Sequence, residues 1–173
     1  MMKIETERLY IRHFVNEDAS ICFEGWGTDE HLGDFIMGYP MNMDQMNSFV
    51  NAMVKNTNAW VIVEKESGAC IRYISFDIPY QELRIGEIGY VIGEKWHGKG
   101  YGTEAVKKMI SEYLSKDRLY LIEAKCNIDN KPSLNLLEKV GFIKDGVLRK
   151  RRIDKNTGEY RDLVVYSITT NDK

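Results

Sequence analysis

Three glycines at alternate positions, Gly98, Gly100 and Gly102, constrain this chain more than any other feature. They stand between a glycine-rich strand pattern, Arg84 to Gly93, and an amphipathic helix pattern from Thr103 to about Ser115. The helix signal is a set of apolar pairs, Ala105-Val106, Met109-Ile110 and Tyr113-Leu114, repeating every four positions. Glycines placed there let backbone amides turn inward around an anion, and the helix N-terminus adds about half a positive charge of dipole. Lys99 adds a formal charge. A tight strand-to-helix turn needs one glycine rather than three, so the spacing predicts a cradle for phosphate. The dinucleotide fingerprint GxGxxG is not met, and no Gly-Lys-Ser/Thr is present. Several strand patterns precede the loop, which is also wrong for the first turn of a βαβ unit. Both misses disfavour a dehydrogenase and an NTPase.

The rest of the chain reads as one α/β domain over residues 1–173, a length that suits a single sizeable core. Leu9 to Phe14 is a first strand, and Asn16 or Asp18 is expected to cap a helix through about Trp26. Asp44 is expected to cap a second helix with Met46, Phe49, Val50 and Met53 at helical spacing. Ala59 to Lys65 and Ala69 to Ile78 read as strands around a Ser67-Gly68 turn, the second ended by Pro79. Leu119 to Cys126 is another strand. A helix follows with Asn130 as cap, Pro132 in its first turn and Gly141 at its end. Two closing strands, Gly146 to Ile153 and Tyr160 to Thr169, flank an Asn156-Thr157-Gly158 turn.

Composition excludes several classes. The longest apolar runs fall far short of the ~20 residues that span a bilayer, and the N-terminus has no apolar leader pattern. Cys22, Cys70 and Cys126 are widely spaced, with no CxxC and no Cys/His metal spacing. We therefore expect a cytoplasmic protein with no metal, no disulfide framework, and no membrane or nucleic-acid partner. Net charge is -2 but unevenly spread: residues 1–90 hold 7 Lys/Arg against 14 Asp/Glu, and residues 91–173 hold 17 against 12. Such asymmetry arises either from two ligands of opposite charge or from solvated surface alone.

The motifs carry a family resemblance. Glu87-Ile88-Gly89-Tyr90-Val91-Ile92 followed by His97-Gly98-Lys99-Gly100-Tyr101-Gly102-Thr103 resembles the acetyl-CoA motif of the GNAT N-acetyltransferases. Asn130-Lys131-Pro132-Ser133 and Leu136 to Phe142 resemble the next motif of that family. Glu7 to Arg12 and Asp162 to Ser167 resemble its RimJ/RimL-like branch, which includes ribosomal-protein N-terminal acetyltransferases. The resemblance implies a splayed, mostly antiparallel sheet of six to seven strands with about four helices. It implies acetyl-CoA as co-substrate and an amine as acceptor, the N-terminal amine of a ribosomal or other protein, with a polyamine or aminoglycoside N-acetyltransferase or a non-catalytic CoA-binding module as the alternatives, and it is compatible with a homodimer. The pantetheine arm would pair with Tyr90, Val91 and Ile92, and the pyrophosphate would take the amides from Gly98 to Thr103. Relatives often carry Gln or Arg where His97 stands, so His97 reads equally as a phosphate contact or as a surface histidine.

Direct attack of an amine on a thioester needs an oxyanion donor, a base and an acid. The resemblance offers the amide near Val91 for the oxyanion, a site type worth roughly 3 kcal/mol. Glu87 is the candidate base, with Asp77 on the neighbouring strand as competitor. Many relatives place a tyrosine acid where this chain has Leu137, so Ser133 is the candidate acid instead. Ser133 also reads as a first-turn helix residue, and Asn130 serves both as cap and as pantetheine contact. Between Cys22 and Met53 stand Trp26, Phe35, Tyr39 and five of the eight methionines, a stretch fit to shape acceptor choice or simply to fill a core. Glu24, Asp29, Glu30 and Asp34 lie there too and suit a cationic amine.

Overall fold

The computed structural model describes residues 3–30, 40–92, 94–115, 118–154 and 157–172, without the side chains of Arg72, Tyr80, Ile92 and Glu94. The chain divides into two units, each discontinuous: Met1–Ser75 with Tyr90–Ala105, and Phe76–Gly89 with Val106–Lys173.

Period-two strands build the first unit. β1 (Lys3–Glu5), β2 (Leu9–His13), β3 (Ala59–Glu64) and the first half of β4 (Cys70–Tyr80) pair antiparallel in that order. All six residues of β3 are buried, so both its faces are covered and its run is apolar rather than alternating. The first helix, α1 (Asp18–Cys22), continues as a π-helical turn over Phe23–Gly27. Its N-cap is Glu17, without a side-chain bond, rather than Asn16 or Asp18. Asp18 is instead buried, taking two bonds from Arg12 at 2.6 and 2.8 Å and one from the Val15 amide at 2.8 Å. A buried carboxylate needs such partners, and this demand outranked the cap.

The second helix, α2 (Met43–Lys55), is capped by Asn42 in a reciprocal box with Gln45, at 2.9 and 2.8 Å. Asp44 sits one residue inside the helix, where it favours the dipole without capping. The predicted face is the buried one: Met46 and Val50 are fully buried and Phe49 and Met53 pack beside them. Trp26, Phe49 and Tyr73 form an aromatic core, with centroids 5.1 to 5.6 Å apart, and Phe14 flanks it. Each such pair contributes about 0.5–1.5 kcal/mol beyond burial.

In the second unit the first part of β5 (Ile85–Ile92) runs parallel to β6 (Leu121–Asn127), with Ile85, Gly86 and Glu87 opposite Leu121, Ile122 and Glu123. The helix α3 (Tyr101–Ser115) supplies the crossover that a parallel pair requires. β6 then pairs antiparallel with β8 (Tyr160–Thr169), and β8 with β7 (Ile143–Ile153). α4 (Lys131–Val140) begins at Asn130, whose side chain accepts from the Ser133 amide, and ends at Gly141 with φ 105°. Apolar positions of α3 are buried as expected, and Tyr113 stacks on Phe76 at 3.8 Å.

The fold is mixed α/β and mostly antiparallel, with four α-helices and eight strands among the described residues. The strand beyond the expected six or seven is β1, too short to show a pattern. Pro79 does not end β4, which runs on to Tyr80. β7 starts at Ile143, and its register slips across Gly146. Of the closing turn, Thr157 and Gly158 are as expected, while Asn156 lies outside the described residues. No helix among the described residues is long and apolar enough to cross a membrane.

Candidate active site

After β5 the chain makes one 3-10 turn, Glu94–Trp96, and enters the glycine loop. Gly98 and Gly100 take φ of 74° and 80°, the left-handed region that side chains with a Cβ resist. α3 starts at Tyr101, two residues earlier than the sequence pattern suggests, so Gly102 and Thr103 lie in its first turn. Its first intrahelical bond runs from the Glu104 amide to the Gly100 carbonyl at 3.1 Å. The amides of Tyr101, Gly102 and Thr103 are thus left for a ligand. A Cβ built on Gly98 would meet nothing within 4 Å, and one on Gly100 only Arg8 Nη2 at 3.5 Å. The glycines are therefore required by backbone shape rather than by a close neighbour. His97 and Lys99 are exposed beside it. The buried indole N–H of Trp96, two residues before Gly98, has no acceptor among the described residues. An open loop of left-handed glycines, helix amides and a donor-only edge fits an anionic ligand.

Sequence reasoning missed what holds this loop in place. Arg8, at the approach to β2, donates through Nε to Glu104 Oε2 at 2.8 Å and through its amide to Glu104 Oε1 at 3.0 Å. Its Nη1 reaches the Lys99 carbonyl at 3.0 Å, and its guanidinium lies 4.4 Å from the Tyr101 ring centre. Thr6 adds a hydroxyl bond to Glu104 Oε1 at 2.5 Å. Burial pushes the Glu104 carboxyl up, but the bonds from Thr6 and Arg8 outweigh it and leave it below its ordinary value. Arg8 and Glu104 are 96 residues apart, so no local spacing signals them.

The other candidates fall along β5 and α4. Burial on β5 alternates at Gly86 and Ile88, then slips by one to Val91, as a bulge produces. Val91 is buried, Tyr90 half-buried, and the Ile92 side chain lies outside the described set. Parallel pairing with β6 covers Glu87 and stops there, five residues short of the strand's end. Glu87 is half-exposed and hydrogen-bonded by Lys125. Asp77 is exposed on β4. Leu137 is a buried core residue, consistent with its inability to serve as an acid. Asn130 caps α4, accepting from the Ser133 amide at 3.2 Å. Burial raises the pKa of the Cys126 thiol, and a hydrogen bond with Ser133 opposes the rise.

Within the first unit a cavity of about 440 Å³ is lined by Glu24, Gly25, Trp26, Thr28, Asp29, Glu30 and Lys95. Lys95 is tied to the Glu24 carbonyl at 2.8 Å. Three of the four acidic residues expected there, Glu24, Asp29 and Glu30, thus line one space. Asp34, Phe35 and Tyr39 lie outside the described residues. The basic surplus is less organised: Arg149, Lys150, Arg151 and Arg152 are exposed on β7 of the second unit, whereas the loop belongs to the first.

The model of the acetyltransferase (GNAT) domain matches residues 8–143. This chain belongs to the GNAT acetyltransferase family. The acetyltransferase is 30% identical to the uncharacterized N-acetyltransferase p20 of Bacillus licheniformis, over 97% of this chain and 96% of that one. It is 25% identical to the [ribosomal protein uS5]-alanine N-acetyltransferase of Escherichia coli, over 99% and 92%. In fold it matches RimL, a ribosomal L7/L12 alpha-N-protein acetyltransferase solved with coenzyme A, with a TM-score of 0.86 at 15% identity over 99% and 100% of the two chains. The similarity to the uS5-alanine enzyme supports the RimJ/RimL-like branch. The enzyme is an acyltransferase with acetyl-CoA as co-substrate, and the glycine loop of this GNAT chain is the part whose geometry suits that ligand's phosphates.

Proposed function

We propose that this GNAT enzyme acts as one domain over residues 1–173 and transfers acetyl from acetyl-CoA to the primary amine of a cationic acceptor. The acceptor we favour is the N-terminus of a basic protein, ribosomal or other. The observation that carries the choice is the cavity whose lining includes Glu24, Asp29 and Glu30. Carboxylates gathered at a partly enclosed space attract an ammonium or a basic peptide far better than a neutral amine. Similarity to an enzyme named for acetylating a ribosomal-protein alanine supports the protein reading. The same cluster favours a second one, a polyamine or aminoglycoside, because several carboxylates suit a multiply charged cation.

In this proposal the amine loses its proton to Glu87, directly or through water, and attacks the thioester carbonyl. The new N–C bond forms as the C–S bond breaks. The amide near Val91 stabilises the oxyanion, and Ser133 gives a hydrogen bond to the departing thiolate. Tyr90, Val91, Ile92 and Asn130 hold the pantetheine arm, the former three through backbone groups beyond the point where β6 pairing stops. Gly98 to Thr103 hold the pyrophosphate, with Lys99 and His97 at the rim. We place the enzyme in the cytoplasm, as a monomer or homodimer, without metal.

The test is release of free thiol from acetyl-CoA with a panel of acceptors: basic N-terminal peptides, acidic peptides, polyamines and aminoglycosides. Basic peptides are expected to support turnover best. Turnover confined to polyamines or aminoglycosides selects the second reading, and preference for acidic or neutral amines overturns both.

A further inference from the structure

Two charged residues of β6 stand beside Glu87. Glu123 is directly opposite it in the parallel register. Lys125 follows two positions on, and period-two alternation puts it on the same face. The Lys125 ammonium hydrogen-bonds Glu87 Oε2 and lies 3.6 Å from Glu123 Oε2. One cation therefore serves two neighbouring carboxylates. On the far side of β6, β8 places Val165 opposite Lys125 and Ser167 opposite Glu123, and neither carries charge. On β4 the exposed carboxylate is Asp77, whose carbonyl oxygen lies 3.4 Å from the place a Cβ on Gly86 would occupy. Among the described residues at these positions, the charged groups are the carboxylates of Glu87, Glu123 and Asp77 and the ammonium of Lys125.

We propose that Lys125 is a positioning residue for acetyl transfer, bridging Glu87 and Glu123, orienting the Glu87 carboxylate and so shaping the pH dependence of turnover. The inference rests on Glu87 being the base. Like charges directly opposite each other in a sheet destabilise one another, and two adjacent carboxylates without a cation retain a proton to higher pH. The Glu87 hydrogen bond raises the pKa of Lys125, so the cation stays charged throughout the working range. Lys125 and Glu87 are 32% and 41% exposed in their side chains. A pair that exposed contributes little to stability. The pH profile of turnover therefore separates a positioning role from a merely structural one better than stability does.

The experiment uses the full chain with Lys125→Met, Lys125→Gln, Lys125→Arg and Glu87→Gln. The Glu87 carboxylate is titrated by 13C NMR, its resonance assigned by its loss in Glu87→Gln, and kcat is measured against pH with saturating acetyl-CoA. Lys125→Met and Lys125→Gln are expected to move the Glu87 titration and the acid limb of kcat upward by about half a pH unit, as far as an exposed opposite charge allows. The KM for acetyl-CoA stays within about twofold, since ground-state binding is untouched. Lys125→Arg restores both curves. An unmoved Glu87 titration in Lys125→Met and Lys125→Gln, with Glu87→Gln inactive, overturns this inference and leaves the base assignment standing. Full turnover by Glu87→Gln removes the base assignment and this inference with it.

Discussion

Two glycines of this enzyme are fixed by opposite constraints. Gly100 has open space around it and a φ of 80°. Gly25 has no space: a Cβ there would stand 1.9 Å from the Cys70 carbonyl oxygen and 3.1 Å from its carbon. Gly25→Ala must push the π-helical turn away from β4, at a cost of about 1–3 kcal/mol or more. The melting temperature is expected to fall by roughly 2–4 °C per kcal/mol for a chain of this size. The rise in melting temperature on adding acetyl-CoA should persist. Gly100→Val has the converse signature. It strains a left-handed position by roughly 1–2 kcal/mol and crowds the ligand. Acetyl-CoA affinity is expected to drop by at least about tenfold, or 1.4 kcal/mol, and the ligand-induced thermal shift to shrink accordingly. A folded Gly100→Val protein with wild-type affinity would remove the phosphate cradle from this account. Gly100 was legible because its partners are its neighbours in sequence. Gly25 was not, because the atom that forbids a side chain lies 45 residues away at Cys70. Asp18 caps no helix for a different reason: its carboxylate is taken by the Arg12 guanidinium and the Val15 amide, six and three residues back.

At the scale of elements, periodicity identified faces better than ends. Met46 and Val50 were placed correctly on α2, yet its cap is Asn42 rather than Asp44. Both residues are good caps, and only the reciprocal bond with Gln45 decides between them. The loop and α3 were readable, whereas their attachment through Arg8, Thr6 and Glu104 was not. This attachment makes a prediction about acid. The carboxylate of Glu104 titrates below its ordinary value of 4.5 in the folded chain. A group depressed on folding contributes stability that is present above its unfolded pKa and lost as pH falls through the folded one. Wild-type stability is therefore expected to fall as pH drops below about 4.5, the ordinary carboxylate range. Glu104→Gln, compared by urea unfolding at pH 7 and below pH 4, is expected to be less stable at pH 7 and to converge on wild type in acid. Arg8→Met should lower acetyl-CoA affinity as well, because the Lys99 carbonyl loses its anchor. If Glu104→Gln runs parallel to wild type across that range, the clamp has no energetic role.

At the scale of the whole molecule, charge asymmetry must be judged against where the charges sit. The sequence divides into a half with net charge -7 and a half with +5, which suggested an acidic side for the amine and a basic side for CoA. The acidic part finds a local expression, because Glu24, Asp29 and Glu30 line one cavity. The basic part does not, since four of its cations are the exposed run Arg149 to Arg152 on β7, and Arg8 beside the loop is already paired with Glu104. Salt sensitivity should therefore be a property of the acceptor and trace to the cavity rather than to net charge. Exposed charges act over about a Debye length, ~8 Å at physiological salt. The acceptor KM is expected to rise with ionic strength. Asp29→Lys with Glu30→Lys should raise it further and flatten its salt dependence, while the KM for acetyl-CoA is unchanged. Neutralising Arg149 and Arg151 alters the chain's net charge in the opposite sense and should leave the acceptor KM where it was. Initial-rate measurements across a salt series separate the two pictures. An acceptor KM that follows net charge, moving with the β7 variants as well as with the cavity variants, would show that the carboxylates around Trp26 are only solvated surface.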